Sequence, residues 1–151
     1  MSSRAGNVVT AERLLSAVEA VVHQKIAERE LLAAHKNRIA AEVAAGAVKF
    51  SILRQTIGSD IVFDFEQSIS FEGDSGPYIQ YTYTRAHSVL DKAREAGLGG
   101  NPRSPGSSGT RKVERLLARF PDIVALSYQG LAPQRIVHYL LELSSEFNRF
   151  Y

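Results

Sequence analysis

The chain has 151 residues, 44% hydrophobic, 9% aromatic and 23% charged, with a formal net charge of +2, a balance that argues against wholesale disorder. Its length bounds it to one domain, or one domain with a protruding arm. It contains no run of about 18 apolar residues for a transmembrane helix, no apolar leader in residues 1–6, and no cysteine for disulfides, thiolate metal sites or a cysteine nucleophile.

Apolar spacing is helical almost throughout. Thr10 is suited to cap a first helix with Glu12 in its opening turn. Leu14, Val18, Val21 or Val22, and Ile26 recur at threes and fours, and the pattern runs to about Leu32. A second helix is expected over about 36–56, with Ile39, Val43, Phe50 and Leu53 on one face. Its centre, residues 40–47, is rich in alanine and glycine, which lets another backbone approach closely. Residues 57–76 break the periodicity. Residues 61–65 read as a short strand or an extended stretch, and Asp60, Asp64, Glu66, Glu72 and Asp74 make the segment acidic. Gly73 and Gly76 bracket a tight turn, and Ser75 or Gly76 leads into Pro77, a residue favoured in a first helical turn.

The third expected helix spans about 77–96, with Ile79, Ala86, Val89 and Leu90 inward and Gly97 as its stop. Residues 97–109 hold one apolar side chain among Gly, Ser, Pro and Asn and read as a flexible link. Thr110 is placed to cap a fourth helix through Arg119. Phe120-Pro121 opens a short fifth, ending near Gly130, and Pro133 opens a sixth striped by Ile136, Leu140, Leu143 and Phe147. The expected fold class is all-α: a helical bundle with one irregular loop insertion at about 57–76 and a flexible link at about 97–109.

The positive charge is segregated. Lys92, Arg94, Arg103, Arg111, Lys112, Arg115 and Arg119 stand against Asp91, Glu95 and Glu114 within 91–119, while both flanks carry a slight acidic excess. Such a patch suits a polyanion, through counterion release, or serves as a solubilising face. The segment 73–76, Gly-Asp-Ser-Gly, matches the nucleophile motif of trypsin-like proteases. It lies between helices and is followed by Pro77 where that motif has glycine, so a turn with a helix cap is the better reading. His23, His35, His87 and His138 form no ligand-spaced pair, no phosphate-binding glycine loop with its lysine occurs, and no full active site assembles. No catalytic residue and no metal ligand is expected.

Tyr78, Tyr81 and Tyr83 crowd the start of the third helix with Gln80, Thr82, Thr84 and Arg85. Tyr78, Tyr81 and Arg85 share a face. Rings beside a guanidinium form a stacking platform for unpaired bases, and they equally serve to anchor a helix against its neighbours.

Residues 47–54, 63–66 and 71–85, the last reading Phe-Glu-Gly-Asp-Ser-Gly-Pro-Tyr-Ile-Gln-Tyr-Thr-Tyr-Thr-Arg, closely resemble the arginyl-tRNA synthetases (arginine–tRNA ligases), class I enzymes. Residues 120–124 and 139–151 resemble the helical, DALR-type anticodon-binding domain of that family, in the family's order. Residues 1–10 resemble its version of the Lys-Met-Ser-Lys-Ser loop, with Met1, Ser2, Ser3 and Arg4 as an ATP-loop remnant. The first lysine is absent and Ser3 stands for the second, as in many members of the family.

The resemblance implies a piece of the enzyme running from the signature loop into the anticodon-binding domain. It implies a loop remnant and connecting helix at 1–32 and a bundle at 33–151. The tRNA-binding positions it implies are Glu72, Gly73, Asp74, Ser75 and Gly76 in the turn, Tyr78, Gln80, Tyr81 and Arg85 on the helix, and Tyr151. The partner is tRNA, in the cytoplasm. Arginine and ATP with magnesium belong to the full-length enzyme, and this piece alone is expected to be inactive and to hold no cofactor. The alternative, from another class, is a helical interaction module without RNA binding that forms a homodimer through an exposed apolar face.

Overall fold

A computed structural model describes residues 10–100 and 111–151. All regular elements among them are helices: α1 (Ala11–Ile26), α2 (Ala33–Leu53), α3 (Phe65–Ser68), α4 (Gly76–Glu95), α5 (Arg111–Ala118), α6 (Phe120–Gln129) and α7 (Gln134–Phe150). The chain divides into two compact units, one of residues 1–52 and 62–77, the other of residues 53–61 and 78–151.

In the first unit, Thr10 caps α1 by accepting from the Arg13 amide at 3.3 Å. The Glu12 carboxyl is held below the usual carboxylate range by its own backbone N–H and the Thr10 hydroxyl. The helix ends at Ile26, six residues before the end expected from apolar spacing, because Leu31 and Leu32 are exposed and give a further turn nothing to pack on. Val18 and Val22 of α1 are buried with Ala40, Ala44, Ala47 and Val48 of α2 and with Ile69. The buried face of α2 is therefore an alanine face continued by Val48, Ser51 and the expected Phe50. Ile39 and Val43 sit at its margin, and Leu53, expected inside, is 41% exposed. Residues 61–64 are extended without forming a strand. The Asp64 side chain accepts from the Gln67 amide at 2.9 Å and starts the single turn α3, which sequence spacing did not anticipate. Ser68 of that turn and Ser51 of α2 are buried together, hydroxyl to hydroxyl at 3.0 Å.

In the second unit α5, α6 and α7 pack on one another. Leu116, Val137 and Tyr139 are buried there, and the Tyr139 hydroxyl donates to the Leu116 carbonyl at 3.1 Å. The ring of Phe120 lies 5.5 Å from that of Tyr139. The expected stripe of α7 is only half-buried: Ile79, Thr82, Tyr83 and Ala86 of α4, Val113 and Leu117 of α5, and Leu140, Leu143, Ser144 and Phe147 of α7 line an apolar cleft of 280 Å³. Gly97 adopts φ +67° and the Leu98 amide bonds back to the Ala93 carbonyl at 2.8 Å, so the predicted stop of α4 closes as a left-handed C-terminal turn. Leu90, expected inward, is 52% exposed. Thr110, Arg103 and the rest of the link from 101 lie outside the described residues, as does the remnant Met1, Ser2, Ser3 and Arg4.

A candidate RNA-binding cluster on α4 and α7

Within the second unit, α7 brings its last turn alongside the first turns of α4 through one amide. The Nδ2 group of Asn148 donates to Thr82 Oγ1 at 2.8 Å and to the Tyr78 hydroxyl at 3.2 Å. Its Oδ1 accepts from Arg85 Nη1 at 3.2 Å. Thr82 is buried and its own hydroxyl donates back to the Tyr78 carbonyl at 2.9 Å, so the Thr82 hydroxyl and both polar atoms of the Asn148 side chain have partners. The arrangement exists because Tyr78, Thr82 and Arg85 fall at helical spacings of four and three on one face of α4.

Asn148 thereby fixes the Arg85 guanidinium, whose carbon lies 4.7 Å from the centre of the Tyr151 ring. A cation over a phenol ring at this distance contributes about 0.5–1 kcal/mol where solvent reaches it. The Tyr151 ring is parallel to that of Phe147, 6° between planes with centroids 6.3 Å apart, and it stays 55% exposed. An arginine and an aromatic ring, both pre-set and both open to solvent on one side, can sandwich or stack an unpaired base and hold a phosphate.

Three of the implied positions, Tyr78, Arg85 and Tyr151, are thus brought together with Asn148. Asn148 was not singled out from sequence, because nothing in the periodicity marks a half-buried amide as a bridge. Tyr81 is 48% exposed one turn from Arg85, free of the anchoring that holds Tyr78. Gln80 is half-buried, and its carbonyl accepts from Thr84 Oγ1 at 3.1 Å. Tyr83 is turned outward against His87, ring centroids 4.5 Å apart.

The turn Glu72–Gly76 belongs to the first unit. Gly73 takes φ +77°, the Ser75 amide reaches the Gly73 carbonyl at 3.1 Å, and the Glu72 amide reaches Ser70 Oγ at 3.1 Å. Ser75 is completely buried and its hydroxyl donates to the Ser70 carbonyl, so it is a fastener of the turn and no nucleophile. Gly76 is buried against α2: a β-carbon there would stand 2.4 Å from the Gly46 carbonyl oxygen. Ser75 and Gly76 hold the turn's shape, and Glu72, Gly73 and Asp74 form its exposed tip.

Of the basic segment, Arg94 pairs with Asp91 at 3.0 Å and Lys112 with Glu146, while Arg119 forms no ion pair among the described residues. No group of three or more His, Asp or Glu able to hold a metal occurs among the described residues, and no helix there is long and apolar enough to cross a membrane.

The family described as "DALR anticodon binding domain" matches residues 79–151. Over the whole chain, the sequence is 36% identical to an arginine–tRNA ligase of Lactobacillus johnsonii and 33% identical to one of Clostridium perfringens, spanning 27% of each. Among solved structures, the Thermus thermophilus arginyl-tRNA synthetase matches with a TM-score of 0.84 at 30% identity, over 100% of this chain and 25% of that one. The chain is therefore similar along its whole length to arginine–tRNA ligases, spans about a quarter of the length of the relatives it matches, and matches the DALR anticodon binding domain at residues 79–151.

Proposed function

We propose that this chain supplies the tRNA-gripping part of an arginine–tRNA ligase, with the cluster Arg85, Asn148 and Tyr151 facing the anticodon loop. The observation that carries the reading is the Arg85 guanidinium held over the Tyr151 ring by Asn148 within the matched domain. Tyr81 is the neighbouring open ring, and Tyr78 and Gln80 support the platform from α4. In the first unit, the turn Glu72–Gly76 contacts tRNA on its own account, and because its tip at Glu72, Gly73 and Asp74 is acidic, its part is steric and through backbone groups more than through charge.

The wider protein would attach arginine to its tRNA in the cytoplasm, consuming ATP with magnesium. Met1, Ser2, Ser3 and Arg4 would contribute to the loop that closes over ATP. Alone, the 151-residue chain binds tRNA without charging it.

The test is filter binding of an arginine-accepting tRNA transcript and of the same transcript with a changed anticodon. The reading expects preference for the first, lost together with most affinity in Arg85→Gln and Tyr151→Ala. Equal binding of both transcripts, with neither substitution having an effect, would overturn it and favour an interaction module that pairs through the apolar cleft. Aminoacylation by the purified 151-residue chain would overturn the non-catalytic part.

A further inference from the structure

A second polar concavity in the second unit lies away from the Arg85–Tyr151 cluster. Arg119, Ile123, Arg135, His138, Tyr139 and Glu142 line a cleft of 240 Å³ where the start of α6 meets α7. Arg135 and His138 are three apart on α7 and share a face, and Arg119 is brought to them as the residue that precedes α6. Neither arginine forms an ion pair with a described residue, although Glu142 lines the same cleft and Asp122 stands in the first turn of α6.

Two further features favour an anion over a cation. The Tyr139 hydroxyl is committed to the Leu116 carbonyl, so Tyr139 lines the cleft with an apolar ring, tilted 34° to that of Phe120, and adds no free donor or carboxylate to it. Two guanidiniums present fork-shaped donors that match the oxygens of a phosphate, with an imidazole beside them.

We infer that Arg119, Arg135 and His138 form a phosphate-binding site separate from the Arg85–Asn148–Tyr151 cluster. At 100° and 1.5 Å per residue, Arg135 lies about 140° around α7 and about 20 Å along it from Asn148, so one bound phosphate cannot serve both. The phosphate belongs to the backbone of a bound RNA or to a free phosphate ion. Only the first source rests on the tRNA reading.

The experiment uses the 151-residue chain and its R119Q/R135Q and R135Q variants. Both arginines are exposed, so the variants keep the helical far-ultraviolet spectrum of the parent, which is checked first. Inorganic phosphate is titrated into ¹⁵N-labelled protein, with chloride holding ionic strength constant. A free-phosphate site gives saturable shifts at Arg119, Arg135 and His138 that vanish in R119Q/R135Q, with Tyr151 unmoved. Separately, tRNA affinity is measured against salt. An RNA-backbone site makes the slope of log affinity on log salt shallower by about 1 in R135Q and about 2 in R119Q/R135Q, with the anticodon preference kept. The inference is overturned if phosphate moves none of the three signals and the variants bind tRNA with the parent's slope. Should the parent bind no tRNA, the tRNA reading fails and the phosphate titration alone decides the site.

Discussion

Asn148 Nδ2 lies 2.8 Å from Thr82 Oγ1, the shortest of the three hydrogen bonds by which this one side chain ties the last turn of α7 to the first half of α4 in the second unit. The same amide orients Arg85, so stability and RNA affinity should respond differently to different substitutions. Asn148→Ala removes the bridge and leaves Thr82 and Tyr78 to find other partners, at about 1–3 kcal/mol of stability. Asn148→Asp keeps the acceptor for Arg85 but places a carboxylate against its guanidinium. It should cost less stability than the alanine variant and yet weaken tRNA binding as much, since the positive charge offered to phosphate is neutralised. Urea unfolding beside filter binding distinguishes the two, and parallel losses in both variants would remove the orienting role.

Close approach of Gly76 to Gly46 predicts a second pair of outcomes. A β-carbon on Gly76 would meet the Gly46 carbonyl oxygen at 2.4 Å and its carbon at 2.7 Å, both backbone atoms that cannot swing aside. Gly76→Ala should therefore destabilise by about 2–3 kcal/mol, the upper part of the range for overpacking. At Gly73 nothing lies within 4 Å, and only the φ of +77° opposes a side chain. Gly73→Ala should cost about 1–2 kcal/mol, the penalty of a left-handed conformation, and Gly73→Asn less. Urea midpoints for the three variants, ranked Gly76→Ala lowest, check this.

The helices were legible because apolar spacing and punctuation agreed. Thr10, Pro133 and Gly97 mark ends that the structure keeps, and Phe120-Pro121 starts α6 as read. On α2, Phe50 is buried and Val43 packs on the core as the spacing predicts, while Ala40, Ala44, Ala47 and Val48 fill the rest of that face and Leu53 is exposed. Helix α3 was missed because one turn held by the Asp64 side chain has no periodicity to detect. The cluster was half legible: the arginine and rings stood out as residue types, but their dependence on Asn148 is a property of two helices 63 residues apart in sequence.

Tyr139 gives a pH dependence with a definite sign. Burial pushes its phenol above the ordinary value of 10.0, more than the nearby Arg119 draws it down, and the hydroxyl donates to the Leu116 carbonyl. The folded state therefore prefers the protonated phenol more than the unfolded chain does. Its contribution is fully present below about pH 10 and is lost as pH rises through the raised value. Stability of the parent should fall in that alkaline range more steeply than that of Tyr139→Phe, which starts about 1 kcal/mol less stable for want of the hydrogen bond. Thermal melts between pH 8 and 11 follow both. Parallel curves would show that Tyr139 is not the group responsible.

Tyr151 separates the aromatic from the hydroxyl contribution at the cluster. The structure involves its ring twice, beneath the Arg85 guanidinium at 4.7 Å and parallel to Phe147, while no hydrogen bond to its hydroxyl occurs among the described residues. Tyr151→Phe retains both ring contacts and should bind tRNA within about twofold of the parent, given a cation–π energy that differs little between the two rings. Tyr151→Ala removes the stacking surface, worth about 1–3 kcal/mol per base, and should weaken binding by about 5- to 150-fold. Because Tyr151 follows the last helical residue and is more than half exposed, Tyr151→Phe should leave the urea midpoint unchanged and Tyr151→Ala should cost no more than the cation–π contact, about 0.5–1 kcal/mol. Filter binding and urea unfolding on the same preparations check this: a large loss with Tyr151→Phe would shift the weight from stacking to a hydrogen bond from the phenol to the RNA.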